Sequence, residues 1–327
     1  DEIGAAERED QIVVAEDDPI VPLANGRLLC AAGQPAATGA NQTFHIYDPT
    51  DGSWTVQTRT LDDYAVQTGV ALVQLPSGRV MWFGRAANTA QINVYYSDDE
   101  MASWSLASPR ALNTACGNEI LKIAAAYSAG EVGLWVLWSD GGTYNLSQYA
   151  SDDLGLRFTQ VIEDWNSDVT STTPTAPQVI AAHGGGFLLC LVALAVNTIT
   201  HAYRVASAFS ASGGDLVHVS TRAGAHPMTT DAPLALWRDE SGAVFVMCHS
   251  DGTSSSPDAE CSIFVSYDDG RTWANYTAAE GIDLLTTDSA PVFKRYAVAA
   301  TSGRAIMITR WDSTASHDDQ SVAALHL

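Results

Sequence analysis

The sequence predicts an all-β fold, a ring of six similar four-stranded units, and three observations carry that expectation. First, a Thr-Thr, Ala-Pro entry recurs at Thr172–Pro177, Thr229–Pro233 and Thr286–Pro291, with its prolines 56 and 58 residues apart. Second, each entry leads into an apolar run, a glycine turn and another apolar run, so one hairpin repeats once per period. Third, the ends complement each other: the last unit is one strand short, and Gln11–Ala15 reads as a strand with no unit of its own. Pairing the two closes the ring and hides an edge. Four short strands per repeat of about fifty residues is the pattern of a β-propeller, here a six-bladed one closed by an N-terminal strand.

The units start near residues 18, 67, 118, 176, 232 and 290, within a single domain spanning 11–327. The first runs from Pro19–Leu23 through Asn25-Gly26 to Arg27–Cys30, and the second from Val70–Val73 through Ser77-Gly78 to Arg79–Phe83. In the third, Ile120–Ala124 is followed by Gly133–Trp138. The later three carry Phe187–Cys190, Ala243–Cys248 and Ala305–Ile308 after their entries. Residues 1–10, with Glu2, Glu7, Arg8, Glu9 and Asp10, read as a solvated tail. The chain begins at Asp1, which suggests processing or trimming of a longer parent.

Between Ile263–Val265 and a short run ending in Tyr276 lies Ser266–Trp273, S-Y-D-D-G-R-T-W. Asp bonds its own downstream backbone, Gly accepts positive φ and Trp has a large face to bury, so the stretch predicts a tight hairpin with an aromatic anchor. Weaker copies stand in phase with the repeat. Ser97-Asp98-Asp99 to Trp104 has Met101 where Gly is expected, and Ser151–Gly155 ends in Phe158 rather than Trp. The first unit offers only the turn Asp48–Trp54, the fourth a degenerate Ser207–Asp215, and the sixth none. Ser266, Asp268, Gly270, Thr272 and Trp273 resemble the Asp box, S-x-D-x-G-x-T-W, of sialidases and other BNR-repeat propellers. That resemblance implies that the box closes the turn between third and fourth strands, and that ligands bind the opposite face at the channel mouth.

The 327 residues, 46% apolar with 9 Trp, 11 Tyr and 8 Phe, are ample for a packed β core. The net charge is -22, with two lysines against 14 arginines. Such a surface repels nucleic acid and anionic membranes and favours cations, basic partners or neutral ligands; a saline habitat or plain solubility explains it equally. The longest apolar run, Phe187–Val196, is too short to span a bilayer, so no membrane insertion is expected. The five cysteines have no metal-type spacing, and Cys248 and Cys261 are read either as a cross-strand disulfide or as two buried thiols. Asn41, Asn145 and Asn275 head N-x-S/T tripeptides, and the compartment leans extracellular.

On the propellers this chain resembles, the mouth is built from the entries to first strands and the ends of second strands. Those positions supply Asp17, Asp18, Asp231 and Asp288 from the entries, and Arg85, Arg310 and Trp311, with Asp140, His249, Asp251 and Asp312, from strand ends. Carboxylates, arginines and a Trp suit sugar binding by hydrogen bonds and stacking. The resemblance also implies a test for sialidase chemistry: three arginines clamping the substrate carboxylate, a Tyr nucleophile with its Glu, and an Asp acid/base. The family's first clamp arginine lies in an R-I-P entry, and here Asp17-Asp18-Pro19 stands in its place. Arg85, Arg295 and Arg310 remain for a clamp and Tyr296 for a nucleophile, none matched by motif. No G-x-S-x-G, H-E-x-x-H, P-loop or C-x-x-C pattern occurs. No cofactor is expected; Asp251–Glu260 has oxygen ligands for Ca²⁺ but no EF-hand pattern. The sequence therefore points to a non-catalytic recognition or structural module of an extracellular, cell-surface or virion assembly. Its partner is a glycan or a protein, and the alternative is a sialidase-like glycoside hydrolase; a glycoside hydrolase using two mouth carboxylates from Asp18, Asp231 and Asp288 is a separate reading.

Overall fold

The structure, a computed structural model, describes residues 20–32, 41–48, 50–60, 70–85, 91–107, 112–113, 119–140, 143–163, 177–193, 199–211, 215–221, 234–239, 241–250, 260–275, 292–301, 304–313 and 317–326. All regular structure in them is β. The first blade is β1 (Ile20–Pro22), β2 (Leu28–Ala32), β3 (Asn41–Asp48) and β4 (Ser53–Thr60); the second is β5 (Val70–Gln74), β6 (Val80–Arg85), β7 (Gln91–Ser97) and β8 (Ser105–Leu106), with β9 (Leu112–Asn113) also on β7. The third is β10 (Glu119–Ser128), β11 (Glu131–Asp140), β12 (Thr143–Ser151) and β13 (Thr159–Ile162). The fourth is β14 (Gln178–Ala181), β15 (Phe187–Ala193), β16 (Ile199–Val205) and β17 (Asp215–Thr221), and the fifth β18 (Leu234–Arg238), β19 (Val244–Ser250), β20 (Glu260–Ser266) and β21 (Ala274–Asn275). A last sheet holds three strands, β22 (Val292–Thr301), β23 (Arg304–Ser313) and β24 (His317–His326). Every pairing is antiparallel and, apart from β9 on β7, joins consecutive strands of a blade, and each first strand neighbours the first strands of adjacent sheets.

The expectation of a six-bladed ring is corrected on this point: the described residues form a propeller of five complete blades, and β22–β24, lying between the fifth blade and the first, is a three-stranded sheet. The last segment contributes only three strands. Gln11–Ala15, the strand expected to complete it, lies outside the described residues, as does the 1–10 segment.

Why the second strands read as unbroken apolar runs is clear from their packing. Successive residues of a strand face opposite sides, and a blade is covered on both sides by neighbours. In β11, Val132, Leu134, Val136 and Trp138 pack with Met81 and Phe83 of the second blade, while Trp135 and Leu137 pack with Phe187 and Leu189 of the fourth. In β15, the intervening Leu188 and Cys190 turn to Val244 and Val246 of the fifth. Trp82, Trp135, Phe83 and Phe187 are fully buried. At roughly 1.5–3 kcal/mol per large apolar side chain removed from water, these junctions dominate the favourable side of the folding balance.

The hairpins joining third to fourth strands are built by local hydrogen bonds. In the fifth blade, Ser266 Oγ donates to Asp268 Oδ1 at 2.8 Å and accepts from the Gly270 amide at 2.7 Å. Asp268 Oδ1 also accepts the Arg271 and Thr272 amides at 3.1 and 2.8 Å, and its Oδ2 accepts the Thr272 hydroxyl at 2.6 Å. Ser97 and Asp99 repeat the pattern in the second blade, bonding the Met101 and Ser103 amides at 2.9 Å each, as do Ser151 and Asp153 with the Gly155 and Arg157 amides at 3.0 and 2.9 Å in the third. Each turn forces two residues to positive φ: Glu100 and Met101, Leu154 and Gly155, Asp269 and Gly270.

Each of these turns also docks on the blade before it. A Cβ on Gly155 would stand 2.0 Å from Met81 Cε of β6, and one on Gly270 would stand 2.7 Å from Leu188 Cδ1 of β15. In the second blade the same position is Met101, whose side chain is buried with Leu29, Phe44 and Ile46 of the first. Met therefore replaces Gly here by filling the junction itself, at the cost of a positive φ of 68°. The aromatic anchors follow suit: Trp104 stacks on Phe44 of the first blade at 4.8 Å, and Phe158, standing where Trp was expected, meets Phe83 of the second edge to face at 5.7 Å. In the fourth blade the missing carboxylate comes from next door, because Glu131 of β11 accepts the Ser207 hydroxyl at 2.9 Å and the Ala208 amide at 2.7 Å.

The two cysteines read as a possible pair face different partners across the ladder, with Cys248 opposite Ser262 and Cys261 opposite His249. Cys30 and Cys190 are buried and form no disulfide.

Two predictions follow from the turns. Gly155→Ala should cost about 2–3 kcal/mol by urea unfolding, combining positive φ with overlap on Met81, whereas Gly26→Ala, at φ +84° with open space around it, should cost about 1 kcal/mol. Equal costs would show that the junction yields freely. Burial opposes ionisation of Asp268, but the bonds from Thr272, Ser266 and Arg271 outweigh it and hold its pKa down to about 2; the Ser103 and Ser97 bonds hold Asp99 to about 2 as well. Both native values lie below the usual carboxylate value, so the stability these groups confer is complete above about pH 4 and is lost as the pH falls through about 2. Acid titration of unfolding free energy should show a steeper slope in that window for the native chain than for Asp268→Asn.

Candidate functional site

The propeller has two working sides. One carries the turns just described, together with the hairpins joining first to second strands. The other, where second and fourth strands end, is the side on which the sequence placed a channel mouth. Of the expected mouth residues, Asp17, Asp18, Asp231 and Asp288 lie outside the described residues, as does Asp251. Arg85 is the last residue of β6, half-buried and opposite Ile92. Arg310 and Trp311 lie in the same half of β23, opposite Arg295 and Phe293 of β22, and Asp140 ends β11. These strand ends belong to different sheets, and the connections that follow them, 86–90, 141–142 and 314–316, are outside the described residues. One polar network is described on this side: Trp138 Nε1 donates to Ser147 Oγ at 2.8 Å, and that hydroxyl donates to the Glu163 carbonyl. Among the described residues no group of three or more His, Cys, Asp or Glu could hold a metal ion, and no helix is long and apolar enough to cross a membrane.

The turn-bearing side has a feature that the sequence did not disclose. Between the fourth and fifth blades lies a cleft of about 440 Å³, lined among others by His183, Arg204, Arg238, Tyr267, Asp269 and Arg271. Asp269, the residue after the carboxylate that builds the turn, has φ 61° and points across the junction. It accepts Arg204 Nη2 and the His183 amide, both at 3.0 Å, from the fourth blade, and Arg238 Nη2 from β18. Arg238 reaches on to the Gly242 carbonyl at 2.8 Å and the Ala181 carbonyl at 3.1 Å, tying the fifth blade back to the fourth. Burial pushes the Asp269 pKa up, but the His183 amide and the two guanidinium groups more than compensate, so it stays below the usual carboxylate value.

This junction is one of a series. Arg27 of the first blade bonds Glu100 of the second at 2.9 Å, and Arg79 of the second, clamped on Asp98 at 2.7 and 2.9 Å and lying over the Tyr96 ring, reaches the Leu154 carbonyl of the third at 3.4 Å. Glu100, Leu154 and Asp269 occupy the same place, the fourth residue of each Ser-x-Asp turn. The signal in sequence would have been the two arginines at equivalent hairpin positions, Arg27 and Arg79, facing turns one repeat downstream. Arg204 and Arg238, 65 and 31 residues from Asp269, carry no such signal.

No family model matches the sequence, and no curated relative does either. Solved structures similar to it span nearly its whole length. An α-L-arabinanase from Penicillium chrysogenum, complexed with arabinobiose, superimposes with a TM-score of 0.67 at 14% identity over 98% of this chain and 96% of its own. The GH93 α-L-arabinofuranosidase of Fusarium graminearum, also with arabinobiose, gives 0.67 at 13% over the same shares, and a leech intramolecular trans-sialidase gives 0.62 at 10% over 99% and 70%. The fold is thus the β-propeller that arabinanases and sialidases share; the identities are too low to transfer an activity.

The ion pairs predict unequal mutational costs. Asp269→Ala leaves two half-buried guanidinium groups and a backbone amide without their acceptor and should cost about 2–3 kcal/mol by chemical denaturation. Glu100→Ala, whose side chain is 76% exposed, should cost less than about 1 kcal/mol. Similar losses at the two sites would refute the ranking by burial.

Proposed function

We propose that the chain is a glycan-recognising β-propeller that holds a neutral saccharide at its channel mouth without cleaving it. The observation that carries the reading is the whole-length similarity to propellers solved with arabinobiose. The sequence supports neutrality: Asp17, Asp18, Asp231 and Asp288 stand at the entries, and a carboxylate-rich mouth accepts hydrogen bonds from sugar hydroxyls but repels a substrate carboxylate. Asp17 in place of the first clamp arginine argues against sialic acid in particular. Arg85 and Arg310 donate to ring and hydroxyl oxygens, and Trp311 offers a stacking face. On this reading the Ser-x-Asp turns, Ser266, Asp268, Gly270 and Trp273 among them, are Asp boxes of a BNR-repeat propeller with a structural role, and the protein works outside the cell, on a surface or in a virion.

A second reading, a glycoside hydrolase, is favoured by the activities named for the similar structures and by two carboxylates of Asp18, Asp231 and Asp288 serving as acid and base. One experiment separates them. Arabinan oligosaccharides, sialyllactose and neutral hexose oligomers are titrated calorimetrically against the protein, and the same sugars as aryl glycosides are followed for release of the aryl group. Recognition requires saturable binding of a neutral sugar, weakened roughly tenfold or more by Asp231→Asn or Asp288→Asn, a loss of about 1.4 kcal/mol, with no turnover. Turnover abolished by the same substitutions establishes the hydrolase instead.

A further inference from the structure

The cleft between the fourth and fifth blades opens on the side opposite the mouth, and its chemistry differs from that of the rest of the chain. Three arginines meet two aspartates there in a protein whose net charge is -22. Both aspartates are already committed, Asp268 to its own turn and Asp269 to Arg204 and Arg238. Arg271 is not: it is exposed at the rim, and its guanidinium bonds no other described residue. Beside it Tyr267, also lining the cleft, leaves 76% of its surface in water. The turn does not need that ring, since its hydrogen bonds come from Ser266, Asp268 and Thr272, and the equivalent positions in the second and third blades are Asp98 and Asp152. An aromatic face and a guanidinium bonded to no other described residue, flanking an arginine-lined cleft of about 440 Å³, match what a bound sugar acid requires, in a volume within the range of small-ligand sites.

We propose that this cleft binds a uronic acid residue of an acidic saccharide, its carboxylate held by Arg271 and its ring stacked on Tyr267. A guanidinium fork pairs with a carboxylate in two parallel hydrogen bonds, which a point charge does not provide. The C–H face of a pyranose packs on an aromatic ring while its hydroxyls reach polar neighbours such as His183 and Ser241. A singly charged carboxylate fits better than a phosphate, because the two aspartates of the cleft oppose a second negative charge.

The test titrates trigalacturonate and its uncharged methyl ester against the full chain by calorimetry. Trigalacturonate should bind one to one, the ester at least tenfold more weakly, and binding should fall with added salt. Arg271→Gln and Tyr267→Ala, both at exposed positions, should each weaken trigalacturonate at least severalfold with an unchanged thermal midpoint. Absence of saturable binding, equal binding of the ester, or indifference to both substitutions overturns the proposal. Hexaglutamate binding as tightly as trigalacturonate also overturns it, because the cleft would then be reading charge alone. Neutral glycan binding at the mouth is scored separately, so failure here leaves that reading standing.

Discussion

The buried hydroxyl of Ser266, donating to Asp268 while it accepts the Gly270 amide, fixes the hairpin tip on which the junction to the preceding blade depends. Sheets packed face to face through alternating apolar side chains attract strongly but without direction, and nothing in that attraction sets how far one blade slides along the next. A rigid tip with two residues at positive φ supplies the missing stop. It sets Gly270 against Leu188, Gly155 against Met81 and Met101 among the first blade's core residues, so the apolar faces meet in one register. The hydrogen bonds are worth little individually; their value is in aiming the contact.

The polar chemistry follows the same geometry. The fourth residue of each turn projects toward the blade before it, and there Glu100, the Leu154 carbonyl or Asp269 accepts an arginine. Burial decides which of these matters. Glu100 is mostly in water, where its charge is screened, while Asp269 is shielded and holds two guanidinium groups and an amide at once. When the turn lacks its own carboxylate, as at Ser207, Glu131 supplies one from the neighbour, so the requirement is for an acceptor at that point in space and not for a particular residue in the repeat.

The two sides of the ring are thereby specialised. Turns and junction ion pairs organise the side that closes each blade on the last, and they leave an arginine-lined cleft between the fourth and fifth blades. Because the fold shared with arabinanases and sialidases persists at 10–14% identity, the scaffold constrains few surface residues.

Gly133–Trp138 and Phe187–Cys190 could be read as fully covered strands because burial on both faces leaves an unbroken apolar run, and Ser266–Trp273 as a hairpin because its hydrogen bonds are local. Such features depend on neighbours in the chain, so the sequence by itself determined the all-β class, the repeat and the turns. The number of complete blades was a different matter: the three strands of β22–β24 were legible, but completing that sheet rests on pairing between distant segments, which has no local signature. The register that sets Cys248 against Ser262 was likewise invisible to spacing. Only the tertiary structure brought Arg204, Arg238 and Asp269 to one point, because they come from β16, β18 and the turn after β20 and meet where the fourth and fifth blades pack together.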